Sequence, residues 1–292
     1  MYARRQDDSA EDRGARSLFT AHQRDFAENR YVYPVLSRRA GGISIGVNIN
    51  VDKACNSNCI YCQIDRTTAG KKTSIDLDVL AVELRQMIEL VTSGRIFEQT
   101  KFRHTPPPLR RLCDIAISGD GEPTACHDFE RVAAVCAKVR PPGAKLVLIT
   151  NTSLLHRENV RRGLEILDAN NGEIWAKLDA GTEPYYRQVS RSNVPYQQIL
   201  DNLRQASLAR PIIIQTLFML IDGQSPSMAE LKAYCGRLND ITAAGGRIKQ
   251  VQIHTIARQP TEKWVSPLPA KQINTISQMV EQETGLPVMR TL

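Results

Sequence analysis

Three cysteines within eight residues are the part of this sequence best suited to carry chemistry. Cys55, Cys59 and Cys62 follow directly on the apolar stretch from Ile43 to Val51. A loop this compact can wrap one face of a small inorganic cluster, but its thiols lie too close together to complete a tetrahedral zinc site without a fourth ligand from elsewhere. The spacing therefore favours an iron-sulfur cluster over zinc. Free cysteines are also common as small buried hydrophobes, yet three of them among asparagine and serine residues do not fit a core strand.

The same loop resembles the signature of the radical SAM superfamily. Its spacing is Cys-x3-Cys-x2-Cys, an aromatic residue, Tyr61, stands just before the third cysteine, and a predicted strand precedes the first. Two segments, Gly46 to Cys55 and Ser118 to Thr124, are most similar to the branch that includes the wyosine-base synthetases of tRNA. The resemblance implies that Cys55, Cys59 and Cys62 hold a [4Fe-4S] cluster whose fourth iron is open to S-adenosylmethionine (SAM). One electron from such a cluster cleaves SAM into methionine and a 5′-deoxyadenosyl radical, which abstracts a hydrogen atom from a substrate.

The turn Gly119-Asp120-Gly121-Glu122 resembles the glycine-rich motif that follows the second strand in this family. The resemblance implies that backbone carbonyls of the turn accept hydrogen bonds from the ammonium group of SAM. Small residues suit such a close approach of the backbone to a ligand. An ordinary strand-to-helix turn would have the same composition, but its position one strand after the cysteine loop favours the cofactor site.

Five more residues match family positions by the strand that each follows. The resemblance implies that Lys177 and Asp179 meet the carboxylate or ribose of SAM, and that Asn151 acts likewise. His254 would lie beside the adenine or ribose, and Tyr61 would flank the cluster and help to place the adenine. A polar residue at a strand end is equally typical of a helix cap, which is the alternative for these positions.

Strands and helices that could position these residues alternate along the chain. Short apolar runs that end in turns predict buried strands, and apolar residues at helical spacing predict helices. The predicted strands are Ile43 to Val51, Leu112 to Ser118, Lys145 to Thr150, Glu173 to Asp179, Pro211 to Leu220 and Ile248 to Ile256. The predicted helices are Ile75 to Val91, Phe129 to Val139, Asn159 to Ala169, Pro195 to Leu208, Met228 to Ala243 and Ala270 to Thr284.

This alternation predicts an α/β fold with a parallel sheet and right-handed crossovers. Periodicity alone does not distinguish an open doubly wound sheet from a partial barrel, and the resemblance decides for a curved, partial (β/α)6 TIM-like barrel. Ligands of such folds bind at the carboxyl ends of the strands. We expect residues 1–40 to form an N-terminal arm, with a short extended segment at Tyr31 to Leu36. Residues 41–292 are expected to form the barrel domain with a C-terminal extension.

Composition is that of a globular protein without a membrane span. Hydrophobic residues make up 42% and charged residues 24% of the chain, close to the globular average. The longest apolar run, Pro211 to Ile221, is too short to cross a bilayer. The first thirty residues carry six basic and six acidic side chains and no apolar segment, unlike a secretory or transit signal. With seven cysteines read as reduced thiols, these features predict a cytoplasmic location.

The four remaining cysteines are not assigned to the cluster. Cys113 stands at the start of a predicted strand, and Cys136 and Cys235 fall within predicted helices, so all three are expected in the core. Cys126 follows the glycine-rich turn at the predicted site, where it could act as a thiol donor.

Basic residues point to an anionic substrate. The net charge is +7, and Arg187, Arg191, Arg258 and Lys263 follow predicted strands four and six, so they are expected to flank the mouth of the barrel. The long connection from Thr92 to Arg111, basic from Lys101 onward, is expected to join them. Arginine suits phosphate recognition. The hypothesis is an anionic substrate, with RNA or a nucleotide favoured.

Two departures from the wyosine synthetases make wyosine formation itself doubtful. No cysteine precedes Cys55, whereas those enzymes carry additional cysteines there for a second cluster, and no lysine can be assigned to a Schiff base with pyruvate. One alternative is an activase that places a glycyl radical on a protein partner. Another is a non-catalytic zinc or electron-transfer module, completed by a ligand such as His104. Catalysis would require a one-electron donor such as flavodoxin or ferredoxin.

Overall fold

The structure, a computed structural model, describes residues 26–37, 39–67 and 74–291. Its main feature is an eight-stranded sheet in the order β1-β2-β3-β4-β5-β6-β8-β10. The strands are β1 Val32–Ser37, β2 Gly42–Val47, β3 Leu112–Ile117, β4 Lys145–Thr150, β5 Gly172–Lys177, β6 Ile212–Leu217, β7 Met219–Ile221, β8 Ile248–His254, β9 Val265–Pro267 and β10 Val288–Thr291. The α-helices are α1 Leu77–Thr92, α2 Phe129–Val139, α3 Glu158–Asp168, α4 Glu183–Ser190, α5 Tyr196–Ala209, α6 Met228–Ala243 and α7 Ala270–Thr284.

The predicted partial barrel is confirmed. The six predicted strands are β2, β3, β4, β5, β6 and β8, and they lie parallel in chain order as a curled half-barrel sheet. The structure adds a strand at each edge: β1 pairs antiparallel with β2, and β10 pairs parallel with β8. The predicted extended segment at Tyr31 to Leu36 is therefore β1, whereas residues 1–25 of the expected N-terminal arm lie outside the described residues.

The two faces of the sheet pack against different parts of the protein. Ile115, Ile117 and their equivalents on neighbouring strands are fully buried in the large core against the helices. Ala116 and Trp175 face the other way and form a small cluster inside the curled sheet with Val147 and Ile213. Side chains alternate between the faces because the strand repeat is two residues. Polar residues at strand ends thus enter the half-barrel while the strands remain anchored by their apolar face.

The long basic connection does not flank the mouth of the barrel as expected. It leads from α1 into the amino end of β3, and Ile43 at the start of β2 donates its N–H to the carbonyl of Arg111 at the end of this connection. Two short 3-10 helices, Arg95–Glu98 and Pro107–Leu109, and the buried side chain of Phe102 fix it to the core. The connection, with His104, therefore lies at the amino ends of the parallel strands, whereas the cysteine loop lies at their carboxyl ends.

Besides β10, the sequence did not predict helix α4 or the small second sheet. Helix α4 has only eight residues, and it begins at the N-cap Thr182, whose hydroxyl accepts from the Tyr185 amide. Strand β7 pairs with β9 in a separate two-stranded antiparallel sheet. None of the helices in the described part of the chain combines the length and apolar character that a membrane span requires.

Candidate active site

The cysteine loop is docked onto the end of α4. The amide of Asn58 donates to the carbonyl of Ser190 at 3.1 Å, and the amide of Ile60 donates to the carbonyl of Val189 at 2.9 Å. The Ile60 side chain is fully buried in a small apolar cluster. Ser192 donates through its hydroxyl to the carbonyl of Asn56 at 2.8 Å. The short helix that the sequence did not reveal is thus the platform on which the loop rests.

The three thiols form a part-buried group. Cys55, Cys59 and Cys62 all have intermediate exposure, and Cys55 is close enough to both other thiols for their charges to interact. Burial raises the pKa of Cys55, and burial together with the Asp179 carboxylate raises that of Cys59 to about 12. Thiolates at these positions therefore need a strongly cationic partner.

This donor set fits an iron-sulfur cluster. Soft thiolates are the usual ligands of such clusters, and three of them leave one iron of four without a protein ligand. Each thiolate would bind a different iron, so the sulfur atoms need not converge on one point. The zinc alternative also loses its suggested fourth ligand, because His104 lies at the opposite edge.

Asn151 directly contacts the cysteine loop. Its Nδ2 donates to Asn56 Oδ1 at 2.8 Å and to Ser57 Oγ at 3.3 Å. Its Oδ1 accepts from the amide and hydroxyl of Ser153, and Asn56 Nδ2 in turn donates to Ser153 Oγ. The end of β4 is therefore tied by side chains to the residues between the first and second cysteines.

The glycines of the Gly119–Glu122 turn are required by close packing on the segment that leads to Cys55. A Cβ at Gly119 would lie 2.1 Å from Asn48 Oδ1, and one at Gly121 would lie 1.9 Å from the Ala54 carbonyl oxygen. Two hydrogen bonds join Asp120 to Asn48. Asn48 Nδ2 donates to Asp120 Oδ2 at 2.8 Å, and the Asp120 backbone amide donates to Asn48 Oδ1 at 3.1 Å. The sequence prediction assigned the small residues to the approach of a ligand, whereas the structure assigns them first to the contact between strand ends.

Glu122 acts as a buried anchor between two strand ends. Its carboxylate accepts hydrogen bonds from the hydroxyls of Thr124 and Thr150, each at 2.6 Å, and from the amides of Thr124 and Asn151. Burial raises its pKa, while these four donors oppose the rise. Through these bonds Glu122 positions Asn151, and the predicted cofactor role of the Gly119–Glu122 turn stays a prediction.

Tyr61, Asp179 and Lys177 form one connected group beside Cys59. The Tyr61 hydroxyl donates to Asp179 Oδ2 at 2.5 Å, and the Leu217 amide donates to Asp179 Oδ1 at 2.8 Å. Lys177 Nζ lies 3.4 Å from Asp179 Oδ2 and 4.5 Å from the centre of the Tyr61 ring. Burial and the Asp179 charge raise the pKa of Tyr61, so the phenol stays protonated and continues to donate. Together with Asn151 these residues line a small recess over the Cys59 thiol.

Arg66 is a site residue that the sequence prediction missed. Its Nη2 donates to Cys62 Sγ at 3.7 Å and to the Asp120 carbonyl at 3.0 Å, and its Nη1 donates to the Lys53 carbonyl. It thereby joins the third cysteine to the glycine-rich turn. A cation four residues after the last cysteine was the available signal.

The segment that follows His254 covers the other side of the cysteine loop. His254 ends β8 at the same edge of the sheet, opposite Leu217 in the register, and is half-buried. Thr261 donates through its amide to the Cys62 carbonyl at 3.1 Å, and Arg258 Nη1 donates to Gln63 Oε1 at 3.0 Å. Its predicted role beside the adenine or ribose stays a prediction.

The predicted cations of the mouth differ in how far they are paired. Arg187 forms an exposed pair with Glu183 at 2.6 Å, and Arg191 is paired with Glu262 and lies over the Trp264 ring. Their charges are therefore largely matched. Arg258 is different, because its Nε is buried without a hydrogen-bond partner among the described residues.

The remaining cysteines divide in two pairs. Cys136 and Cys235 are buried in the main core, as predicted. The core prediction for Cys113 is wrong, because this thiol is half-exposed at the amino end of β3, where it lines a cavity. Cys126 is part-buried beside the core, and burial raises its pKa.

Comparison with known proteins identifies the class. The family model described as the radical SAM superfamily matches residues 49–235, which is more than half of the chain. The chain therefore belongs to the radical SAM superfamily, a class of enzymes that use a [4Fe-4S] cluster and SAM. The predicted superfamily and cofactors are thereby confirmed.

Three similar proteins illustrate the extent of the likeness. A UPF0026 protein of Methanocaldococcus jannaschii is 26% identical over 242 residues, which cover 80% of this chain and 65% of the relative, so the chain spans about two thirds of that relative's length. A structure of Streptococcus suis SuiB bound to S-adenosylmethionine has a TM-score of 0.57 at 10% identity and covers 87% of this chain and 52% of SuiB. A structure of TYW1 with a lysine-pyruvate adduct bound has a TM-score of 0.53 at 16% identity, covering 82% of this chain and 73% of TYW1. At these low identities, the comparison shows that this chain shares the fold of the two structures and nothing more.

Proposed function

We propose that this chain holds a [4Fe-4S] cluster through Cys55, Cys59 and Cys62 and cleaves SAM reductively at that cluster. The observation that supports this most directly is the convergence of three strand ends on one loop. Asn151 after β4 bonds to Asn56, Asp179 after β5 accepts from Tyr61, and the turn after β3 is bonded through Arg66 to the Cys62 thiol. An isolated structural cysteine loop would not need polar groups from three separate strands.

When bound, the cluster supplies one electron that breaks a carbon-sulfur bond of SAM, giving methionine and a 5′-deoxyadenosyl radical that takes a hydrogen atom from the substrate. The chain's own residues orient SAM. Lys177 offers its ammonium to the carboxylate of SAM, while Asp179 keeps Lys177 and Tyr61 in place. The backbone carbonyl groups of the Gly119–Glu122 turn would accept hydrogen bonds from the methionine ammonium. Glu122 holds this turn against Asn151.

We further propose that the substrate is anionic, with a nucleotide or RNA favoured. Support comes from Arg258, whose guanidinium makes one described side-chain hydrogen bond, to the residue that directly follows Cys62. Burial lowers the pKa of Arg258 to about 10, so the group remains charged at neutral pH. A part-buried guanidinium with donors to spare suits a phosphate or carboxylate.

The cluster proposal is tested by anaerobic reconstitution with iron and sulfide. We expect about four irons per chain, an EPR signal of the reduced protein that changes on adding SAM, and release of 5′-deoxyadenosine with dithionite. The Cys59→Ala variant should lose all three results. Cys113→Ala is the matched control, since that thiol lies at the other edge of the sheet, and it should keep them. Four-coordinate zinc in place of the cluster would refute the proposal.

The substrate proposal is tested by label transfer. The reconstituted protein is incubated anaerobically with SAM and with deuterium-labelled nucleotide or RNA pools, and 5′-deoxyadenosine is examined by mass spectrometry. Deuterium in the product from an anionic pool supports the proposal. Transfer from a neutral pool alone contradicts it while leaving the cluster proposal intact.

A further inference from the structure

A second cavity lies at the amino ends of the parallel strands, at the opposite end of the sheet from the cysteine loop. It has a volume of about 490 Å³, which is in the range of small-molecule sites. Its walls come from the amino ends of β3 to β6, from β8 and β10, and from the turn between β1 and β2. The lining residues used below are Arg39, Arg111, Asp114, Lys145, Glu173, Trp175, Lys249 and Gln252.

This cavity is separate from the candidate active site. On β5, Glu173, Trp175 and Lys177 share the inner face, because side chains alternate along a strand. Glu173 stands in the cavity, Lys177 stands at the cysteine loop, and the Trp175 ring lies between them in the small inner cluster. Four residues of extended strand span about 13 Å. A ligand in the cavity would therefore not be the molecule that meets the cluster.

The described lining of the cavity carries excess positive charge. Lys145 and Lys249 both contact Glu173 Oε1, at 2.8 Å and 2.6 Å, so two ammonium groups share one carboxylate. Arg39 and Arg111 add two guanidinium groups. The other acid, Asp114, is buried and bonded to Ser44, and burial raises its pKa to about 6.

One wall consists of a guanidinium group over a buried aromatic ring. Trp175 keeps its indole N–H bonded to Glu173 Oε2 at 3.2 Å, which fixes the ring. The Arg39 guanidinium lies 5.2 Å from the ring centre. Gln252 is buried behind this wall, and its oxygen already accepts from Gln215. Trp175 is only 5% exposed, so the flat surface that this wall offers to a planar molecule is the Arg39 guanidinium held over the ring.

We propose that this cavity binds a mononucleotide-sized anion that has both a phosphate and a planar base. The phosphate contacts Arg111 and Lys249, and the base lies against the Arg39 guanidinium, which covers the Trp175 ring. Because the cavity opens away from the cysteine loop, the bound molecule is an effector or a structural ligand rather than the substrate.

The test is isothermal titration with GMP, using the full chain. We expect GMP to bind with a dissociation constant below about 1 mM, and guanosine and inorganic phosphate each to bind at least about tenfold more weakly. Lys249→Ala and Arg111→Ala should each weaken GMP binding about tenfold. Lys271→Ala, at an exposed position on α7, is the matched control and should bind GMP like the unmodified chain.

Three results would overturn the proposal. The first is equal GMP affinity in all four proteins, or no GMP binding by the unmodified chain. The second is displacement of GMP by SAM, which would place it at the cysteine loop. The third is inorganic phosphate binding as tightly as GMP, which would reduce the cavity to a simple anion site. Two separate substitutions keep the test meaningful if one of them unfolds the protein.

Discussion

Arg66 Nη2 lies 3.7 Å from Cys62 Sγ and donates at 3.0 Å to the carbonyl of Asp120. One guanidinium thus links the last cysteine of the loop to the glycine-rich turn after β3. Hydrogen bonds to cluster sulfurs and nearby positive charge stabilise the reduced, more negative state of an iron-sulfur cluster. Arg66 should therefore influence how easily the proposed cluster is reduced.

We predict that Arg66→Gln shifts the midpoint potential of the reconstituted cluster to more negative values. A lost charge-assisted contact of about 1.4 kcal/mol corresponds to about 60 mV for one electron. Potentiometric titration followed by EPR measures the shift. Arg131→Gln, at an exposed arginine on α2, should leave the potential unchanged. Equal potentials in both variants, with intact clusters, would show that Arg66 has only a structural role.

Gly121→Ala should distort the approach to Cys55. The new methyl group would lie 1.9 Å from the Ala54 carbonyl oxygen, so the turn and the cysteine loop must separate. We expect a loss of about 1–3 kcal/mol in the free energy of unfolding and a lower iron content after reconstitution. Gly236→Ala in α6 is the matched control, because nothing lies within 4 Å of its added Cβ, and it should be neutral or stabilising. Equal stability of the two variants would argue against the close contact.

The pH dependence of stability should contain a contribution from Asp114. Burial raises its pKa from the ordinary 3.8 to about 6, so the folded protein binds a proton more tightly than the unfolded chain. This stability is fully present below about pH 4 and is lost as the pH rises to about 6, and it amounts to at most about 3 kcal/mol. Asp114→Asn should remove the dependence. Denaturant titrations between pH 4 and pH 7 that run parallel for both proteins would contradict the prediction.

Arg258→Gln should show whether the Arg258 guanidinium binds the carboxylate of SAM or an anionic group of the substrate. If its guanidinium meets the carboxylate of SAM, the variant should bind SAM about tenfold more weakly, and if it meets the substrate, only substrate affinity and its salt dependence should change. Equilibrium binding of SAM and steady-state kinetics distinguish these outcomes. Arg187→Gln is the control, because Arg187 is exposed and already paired with Glu183. Unchanged behaviour in both assays would remove the support for an anionic substrate.

The sequence predicted the parallel sheet because its apolar strands and periodic helices repeat with little ambiguity. It did not reveal α4, because eight residues with few apolar positions give a weak helical pattern. It also did not reveal β10, which owes its pairing to β8 rather than to its own sequence. Site residues near the cysteine motif could be named, but the sequence did not reveal that the Glu122 side chain binds threonine hydroxyls and backbone amides at the ends of two strands. Contacts of that kind depend on which strand ends become neighbours.

The basic connection from Thr92 to Arg111 also shows that the sequence alone does not give the position of a segment relative to the sheet. Its charges suggested the mouth of the barrel, but a segment that enters a strand at its amino end must lie at the opposite edge of a parallel sheet. Sequence composition identified the charges correctly and topology decided their location. The cavity near Arg111 could therefore be found only from the structure.

The central claim is that three thiolates hold a four-iron cluster with one iron open to SAM. Mössbauer spectroscopy of protein reconstituted anaerobically with ⁵⁷Fe tests it most directly. We expect one iron in four to change its isomer shift when SAM is added, while the other three stay unchanged. Four irons that all ignore SAM, or a well-folded protein that assembles no cluster, would contradict the claim.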